Sequence, residues 1–178
     1  GILLSLETEA QLSALLGHEM GHVNARHTAR QMSKGMLTQA LVGGIAAYAG
    51  TKGDYGQLAA QLGMLGAGAL LASYSRDNER EADRLGMVYM TRSGYGSDGL
   101  IQLMGLLNGL HKGKTDAVSL LFSTHPMSQE RYDTAVSMRN TEFSGFVSQP
   151  LYRERYMDHT ARLRKLKPAI TLFQEAEA

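Results

Sequence analysis

The run His18-Glu19-Met20-Gly21-His22 places two imidazoles four positions apart, with a carboxylate beside the first. On a helix, positions four apart differ by about 40° around the axis, so both rings reach one metal ion from one face. Glu19 falls at the edge of that face, near enough to meet a water on the metal without being forced to ligate. Two imidazoles plus a carboxylate form a known catalytic zinc set that leaves one position open for water. The metal brings the water pKa down to about 7, and a neighbouring glutamate can take its proton during attack on a carbonyl. The pattern therefore predicts one Zn2+ per chain, held in part by His18 and His22, with Glu19 as general base. In a chain with 6 histidines the pattern also arises by chance in roughly one case per hundred. The plainer alternative is a pair of helix-surface histidines, one of them paired with a glutamate. A second motif has to decide.

Glu79-Arg80-Glu81-Ala82-Asp83 supplies it. Glu79 and Asp83 are four apart and share a helix face, which Ala82 and Gly86 keep low. Glu79 as third ligand, with Asp83 accepting from a ligand histidine's other N–H, is a chemically complete arrangement. Alone, the segment would read as a solvated helix start among Arg76, Asp77, Arg80 and Glu81. Beside the first motif the ligand reading prevails. Glu81 competes for the same role, but it lies about 200° around the helix from Glu79, and only Glu79 pairs with Asp83. A three-histidine set fails. It would continue after His22 as x-x-G-x-x-H, whereas the chain has Ala25 and Thr28 at the two fixed places. His27 lies about 180° from His18 on an unbroken helix, which predicts that it faces away from the metal in a structural or surface position.

The elements that must position these groups read as helices. Thr8, followed by Glu9 and Gln11, gives a hydroxyl cap and an acidic first turn. Leu12, Leu15, Leu16, Met20 and Val23 recur at three- and four-residue steps. This helix is expected to run to about Lys34, where Gly35 offers a stop. From Gly35 to Ser75 the only charged residues are Lys52 and Asp54. Two apolar helical stretches, about 36–49 and 57–72, flank a turn at 50–54, and Ala59, Gly63 and Ala67 form a small-residue stripe. The uncharged run 55–75 is long enough for a membrane span. Its Gly, Ala and Gln content favours a buried or lid-forming hairpin beside the metal cleft instead. Ser75 opens the helix that carries Glu79 and Asp83, and Gly94 ends it. Ser97-Asp98 caps an apolar helix to about Leu110, Thr115-Asp116 opens a short one, and Ser128 caps another over about 129–139. A charged helix is expected near 152–167, broken by Pro168. The fold class that follows is mainly α: a zincin-like helical core with an apolar helical hairpin between the metal motifs, and little or no sheet.

Composition narrows the function classes. The 178 residues suit one domain with a real core. Lys plus Arg is 18 against 17 for Asp plus Glu, so nothing draws nucleic acid, and no nucleic-acid motif is present. The absence of cysteine excludes disulfides, zinc fingers and thiol nucleophiles. Gly1-Ile2-Leu3-Leu4 is neither a start codon nor a signal n-region, and the sequence reads as a segment of a longer chain.

The runs "LSALLGHEMGHVNARH", "YSRDNEREADRLG" and "STHPMSQER" resemble the gluzincin metallopeptidases that include the CAAX prenyl endopeptidases, the HtpX-type membrane proteases and the BepA-type periplasmic proteases. The resemblance covers about residues 8 to 140 and is closest to the BepA type. It implies an endopeptidase with zinc on His18, His22 and Glu79, Glu19 as general base, and the apolar hairpin filling the 57-residue step from His22 to Glu79. It also implies a site role for His125, which Pro126 holds in a non-helical corner. Two roles stand open for it: a donor to the oxyanion of the transition state, or an occupant of the fourth zinc position at rest. The resemblance further implies a polypeptide substrate, extended or misfolded, in the bacterial cell envelope on the periplasmic side. Contact with a membrane surface or an outer-membrane protein goes with that setting. The metallopeptidase domain is read as 1–140, and 141–178 as a helical extension of unknown role. Only Gly1 to Glu7 precede the motif helix, too little for the substrate-pairing strand the family usually has there. A chaperone-like zinc scaffold is the alternative from another class, but a scaffold needs no general base beside its metal. A structural zinc site would instead close a four-ligand shell.

Overall fold

Thr8 starts the first helix as a reciprocal cap: its Oγ1 accepts from Gln11 N at 3.1 Å, and Gln11 Oε1 accepts from Thr8 N at 3.2 Å. The computed structural model describes residues 2–50, 75–110 and 124–177. Among them the order is α1 (Glu9–Asn24), α2 (His27–Gly50), α3 (Arg76–Arg92), α4 (Asp98–Leu110), α5 (Gln129–Asn140), α6 (Arg153–Arg164) and α7 (Lys167–Glu177). Short 3-10 turns at Ile2–Leu4 and Ser144–Phe146 complete the described part, which contains no strand. Mainly α is the fold class, as expected.

Two helix boundaries differ from expectation. The motif helix ends at Asn24, not near Lys34. Ala25 N closes it on Gly21 O, and Arg26 takes a left-handed φ of 55°. The chain then restarts as α2, which passes straight through Gly35. Glycine inside a helix costs only about 1 kcal/mol relative to alanine, so Gly35 is no obligatory stop. Pro168 likewise breaks nothing: it stands in the first turn of α7, where its missing N–H has no intrahelical partner to lose. The serine caps behave as their sequence suggests, with Ser75 Oγ accepting from Asn78 N and Ser128 Oγ from Arg131 N, each at 3.2 Å. Gly94, at a φ of 86°, follows α3. The stretch 57–72 and the helix opening at Thr115-Asp116 lie outside the described residues. No helix among the described residues is long and apolar enough to cross a membrane.

α1 lies against α3 at backbone-to-backbone range. A Cβ built on Gly17 would stand 3.0 Å from Gly86 O, and one on Gly86 would stand 3.0 Å from His18 N. Gly21 meets Ala82 Cα at the same 3.0 Å. These small residues let the two metal-motif helices touch without side chains between them. Beneath the crossing, Leu6, Ala10, Met87, Met90, Leu100 and Met104 form the core, which draws on the hydrophobic effect at about 25 cal/mol per Å2. The tail packs into the same core through Phe143 and Tyr156. Tyr156 Oη donates to Leu3 O at 2.7 Å, and Arg155 pairs with Glu9.

Candidate metal centre

α1 presents His18 and His22 on the side that faces α3, and α3 answers with Glu79 and Asp83. The corner before α5 adds His125. His18 Nε2 and His22 Nε2 are 3.1 Å apart. Glu79 Oε1 is 3.3 Å from His22 Nε2, and Glu79 Oε2 is 3.5 Å from His18 Nε2. His125 Nδ1 is 3.2 Å from Glu79 Oε1 and 3.3 Å from His18 Nε2. One ligand atom from each of these four residues falls within 4.8 Å of the others. Donors about 2.0–2.1 Å from a tetrahedral zinc stand about 3.3 Å from one another, which is the spacing found here.

The charges around the cluster fit a cation. His18 Nδ1 lies 2.9 Å from Asp83 Oδ1. Burial alone would depress the His18 pKa, but its hydrogen bonds to Asp83 and Glu79 outweigh burial and raise it to about 9. The carboxylates thus hold a positive charge at this point. Burial works to raise Glu79, yet hydrogen bonds from His125, His18 and His22 and the charge of Arg131 keep it well below the usual carboxylate range. Asp83 is lowered in the same way, against burial, by His18 and Arg131. His22 is lowered, chiefly by burial. Glu79 Oε2 is a buried carboxylate oxygen that accepts no well-aligned hydrogen bond among the described residues, while Arg131 Nη1 forms an ion pair with it at 2.7 Å. A carboxylate oxygen has two lone pairs, so beside the guanidinium it keeps capacity for a further cation. With His18 deprotonated, as metal binding requires, two ionised carboxylates and one guanidinium leave one negative charge among imidazole nitrogens, so the donor set suits a divalent ion.

Arg131 carries no role in the sequence reading, yet it is the clamp of the site. It is 6 % exposed. Its Nε and Nη2 bind the two oxygens of Asp83 at 2.8 and 2.7 Å, and Nη1 donates to Pro126 O at 2.9 Å. The only sequence signal was its place at the end of the "STHPMSQER" run. His27 takes the structural position of the two expected, by a different route: the break at Arg26 turns it back against α1 and buries it fully. Its Nδ1 lies 2.9 Å from His22 Nδ1 and its Nε2 lies 3.0 Å from Glu81 Oε2. Glu81, the rival ligand, faces His27 and Arg30 instead of the cluster. Glu19 is half exposed, with Oε1 3.7 Å from His125 Nε2. Beside it lies a small cavity of about 30 Å3, with Leu15, Leu100, Leu103, Met104, Leu107 and Met127 on one side and the cluster residues on the other.

Comparison with known proteins gives this geometry its family. The profile of peptidase family M48 matches residues 1–139. Metalloprotease YcaL of Escherichia coli K12 is 34% identical over 130 residues, covering 72% of this chain and 49% of that protein. Metalloprotease LoiP of the same strain is 32% identical over 129 residues, covering 72% and 49%. The beta-barrel assembly-enhancing protease of Yersinia pestis is 30% identical over 145 residues, covering 75% of this chain and 28% of that protein. The chain therefore spans about half, or less, of the length of these relatives. No solved structure gives a significant match. With its two metal motifs on touching helices and the family profile running through both, this chain belongs to peptidase family M48.

Proposed function

We propose that this chain is a zinc-dependent endopeptidase acting on extended or misfolded polypeptides of the bacterial cell envelope, on the periplasmic side. His18, His22 and Glu79 hold one zinc ion, and Asp83 orients His18. The observation that carries the reading is the convergence within 4.8 Å of donor atoms from chain positions as far apart as His18 and His125, with Glu19 beside them. A zinc ion held by these residues would supply Lewis-acid chemistry, polarising a scissile carbonyl and lowering the pKa of a water to about 7. Glu19 takes the proton of the attacking water and returns it to the departing amine. The envelope setting and a contact with an outer-membrane protein draw on the name of one relative, which links that protein to beta-barrel assembly.

Of the two roles for His125, the geometry favours the resting occupant. Its Nδ1 stands among the ligand atoms at 3.2 and 3.3 Å, while only Nε2 faces Glu19. A donor to an oxyanion would have to point into the open cleft instead.

The test combines zinc content with casein cleavage by the wild type and by Glu19→Gln. The expected result is one zinc per chain in both, with turnover lower in the variant by about 10²–10⁴-fold. Cleavage by Glu19→Gln at the wild-type rate would sink the mechanism, and zinc without cleavage in the wild type would favour a scaffold.

A further inference from the structure

The two candidate ligand histidines are supported from behind in different ways. His18 gives its Nδ1 side to a carboxylate, Asp83, at 2.9 Å. His22 gives its Nδ1 side to another imidazole, His27, at 2.9 Å. We infer that His27 and Glu81 form a positioning relay that holds His22 in its Nδ1–H tautomer and so aims its Nε2 lone pair at the metal. The inference rests on the proposed metal role of His22.

The direction of the relay follows from what each group can do. Glu81, ionised, only accepts, so the His27 Nε2 lying 3.0 Å from its Oε2 is the donor. A neutral imidazole with its proton on Nε2 has an acceptor at Nδ1. His22 Nδ1, 2.9 Å away, must then be the donor, which leaves His22 Nε2 as the lone pair facing His18 Nε2 at 3.1 Å and Glu79 Oε1 at 3.3 Å. The fold is shaped for this. Arg26, at a φ of 55°, turns the chain so that His27 swings under α1, and His27 is 0 % exposed. Glu81 lies on α3, two residues beyond the ligand carboxylate, so one helix supplies both a ligand and the far end of the relay. Its side chain is 47 % exposed, and Arg30 Nη1 shares the same oxygen at 3.4 Å. Partners behind ligand histidines fix the tautomer and ring angle, and losing them typically costs about 10–100-fold in metal affinity.

The test uses zinc affinity by chelator competition and 15N NMR of the histidine rings in the metal-free and zinc-loaded protein. His27→Leu keeps the volume and removes the acceptor, so zinc binding should weaken by roughly 10–100-fold. His27→Asn puts Oδ1 where Nδ1 stood, and most of the affinity should return, which a purely space-filling role would not produce. Glu81→Ala should weaken binding in the same direction and shift the His22 ring resonances. If His27→Leu fails to fold by circular dichroism, Glu81→Ala at the half-exposed end still decides. Wild-type affinity with unmoved His22 resonances in Glu81→Ala overturns the relay, and so does a metal-free wild type with the His22 proton on Nε2. A wild type that binds no zinc overturns the metal reading and the relay with it. A wild type that binds zinc no better than His27→Leu overturns the relay alone.

Discussion

Replacing Gly86 by alanine tests whether the backbone contact between α1 and α3 sets the geometry of the site. The added Cβ would lie 3.0 Å from His18 N, 3.2 Å from His18 Cα and 3.3 Å from Gly17 C. All three are backbone atoms of a helix, so no side chain can swing aside. Ordinary contact begins at 3.4 Å, so the helices must part by about 0.4 Å. Alanine gains about 1 kcal/mol of helix propensity over glycine. Overpacking in a close-packed contact costs about 1–3 kcal/mol, and the net expectation is a loss of about 1 kcal/mol. For a chain of this size that lowers the melting temperature by about 2–4 °C. The His18 Nε2–Glu79 Oε2 edge of 3.5 Å spans the same interface, so zinc affinity should fall together with stability. Gly109→Ala is the matched control, because its Cβ would meet nothing within 4 Å among the described residues. That variant should melt at or slightly above the wild type, with zinc affinity unchanged. Thermal melts and chelator competition read both quantities. If Gly86→Ala behaves like Gly109→Ala, the helix contact does not govern the site.

Three further substitutions probe the cluster itself. Glu79→Ala should lower zinc stoichiometry towards zero, and a stoichiometry equal to the wild type by metal analysis would remove Glu79 from the ligand set. Arg131→Met leaves two buried carboxylates without their cation, which should cost about 3–5 kcal/mol; added zinc should restore part of it, and thermal melts with and without metal check both statements. His125→Ala should raise basal casein cleavage if the imidazole holds the fourth position at rest. A lower rate with zinc retained would assign it to the oxyanion instead, and unchanged rate and affinity would leave it a structural corner.

How much of this was legible in the sequence depended on how far apart the responsible atoms lie. Caps at Thr8, Ser75 and Ser128 were legible because a hydroxyl and an amide three residues on settle them locally. The shared face of His18 and His22, and of Glu79 and Asp83, followed from helical period alone. The break at Arg26 was not legible, since a left-handed arginine has no composition signature and is favoured only by the packing around it. An unbroken helix would set His27 opposite His18, whereas the break sets it behind His22. Arg131 was missed for a related reason. An arginine three residues after a serine cap reads as a surface charge, and only the arrival of α3 from 48 positions earlier buries it against Asp83.

The partners of the donor set show why the site draws on four helices. His18 is held by Asp83 from α3, His22 by His27 from α2, and Glu79 by Arg131 from α5. No helix holds its own candidate donor, so the donors converge only when the whole crossing is assembled. Arg131 adds a mechanical consequence. The guanidinium that compensates Glu79 and Asp83 also donates to Pro126 O, the residue that fixes the corner of His125. The corner can leave the cluster only by carrying Arg131 along or by breaking that 2.9 Å bond. Carrying it would strip the buried carboxylates of their cation, at the several kcal/mol that unpaired buried charge costs. Breaking the one bond costs about 1–3 kcal/mol. The lower cost fixes how His125 would move: the corner swings at Pro126 while Arg131 stays on the carboxylates, and the ligand set keeps its shape.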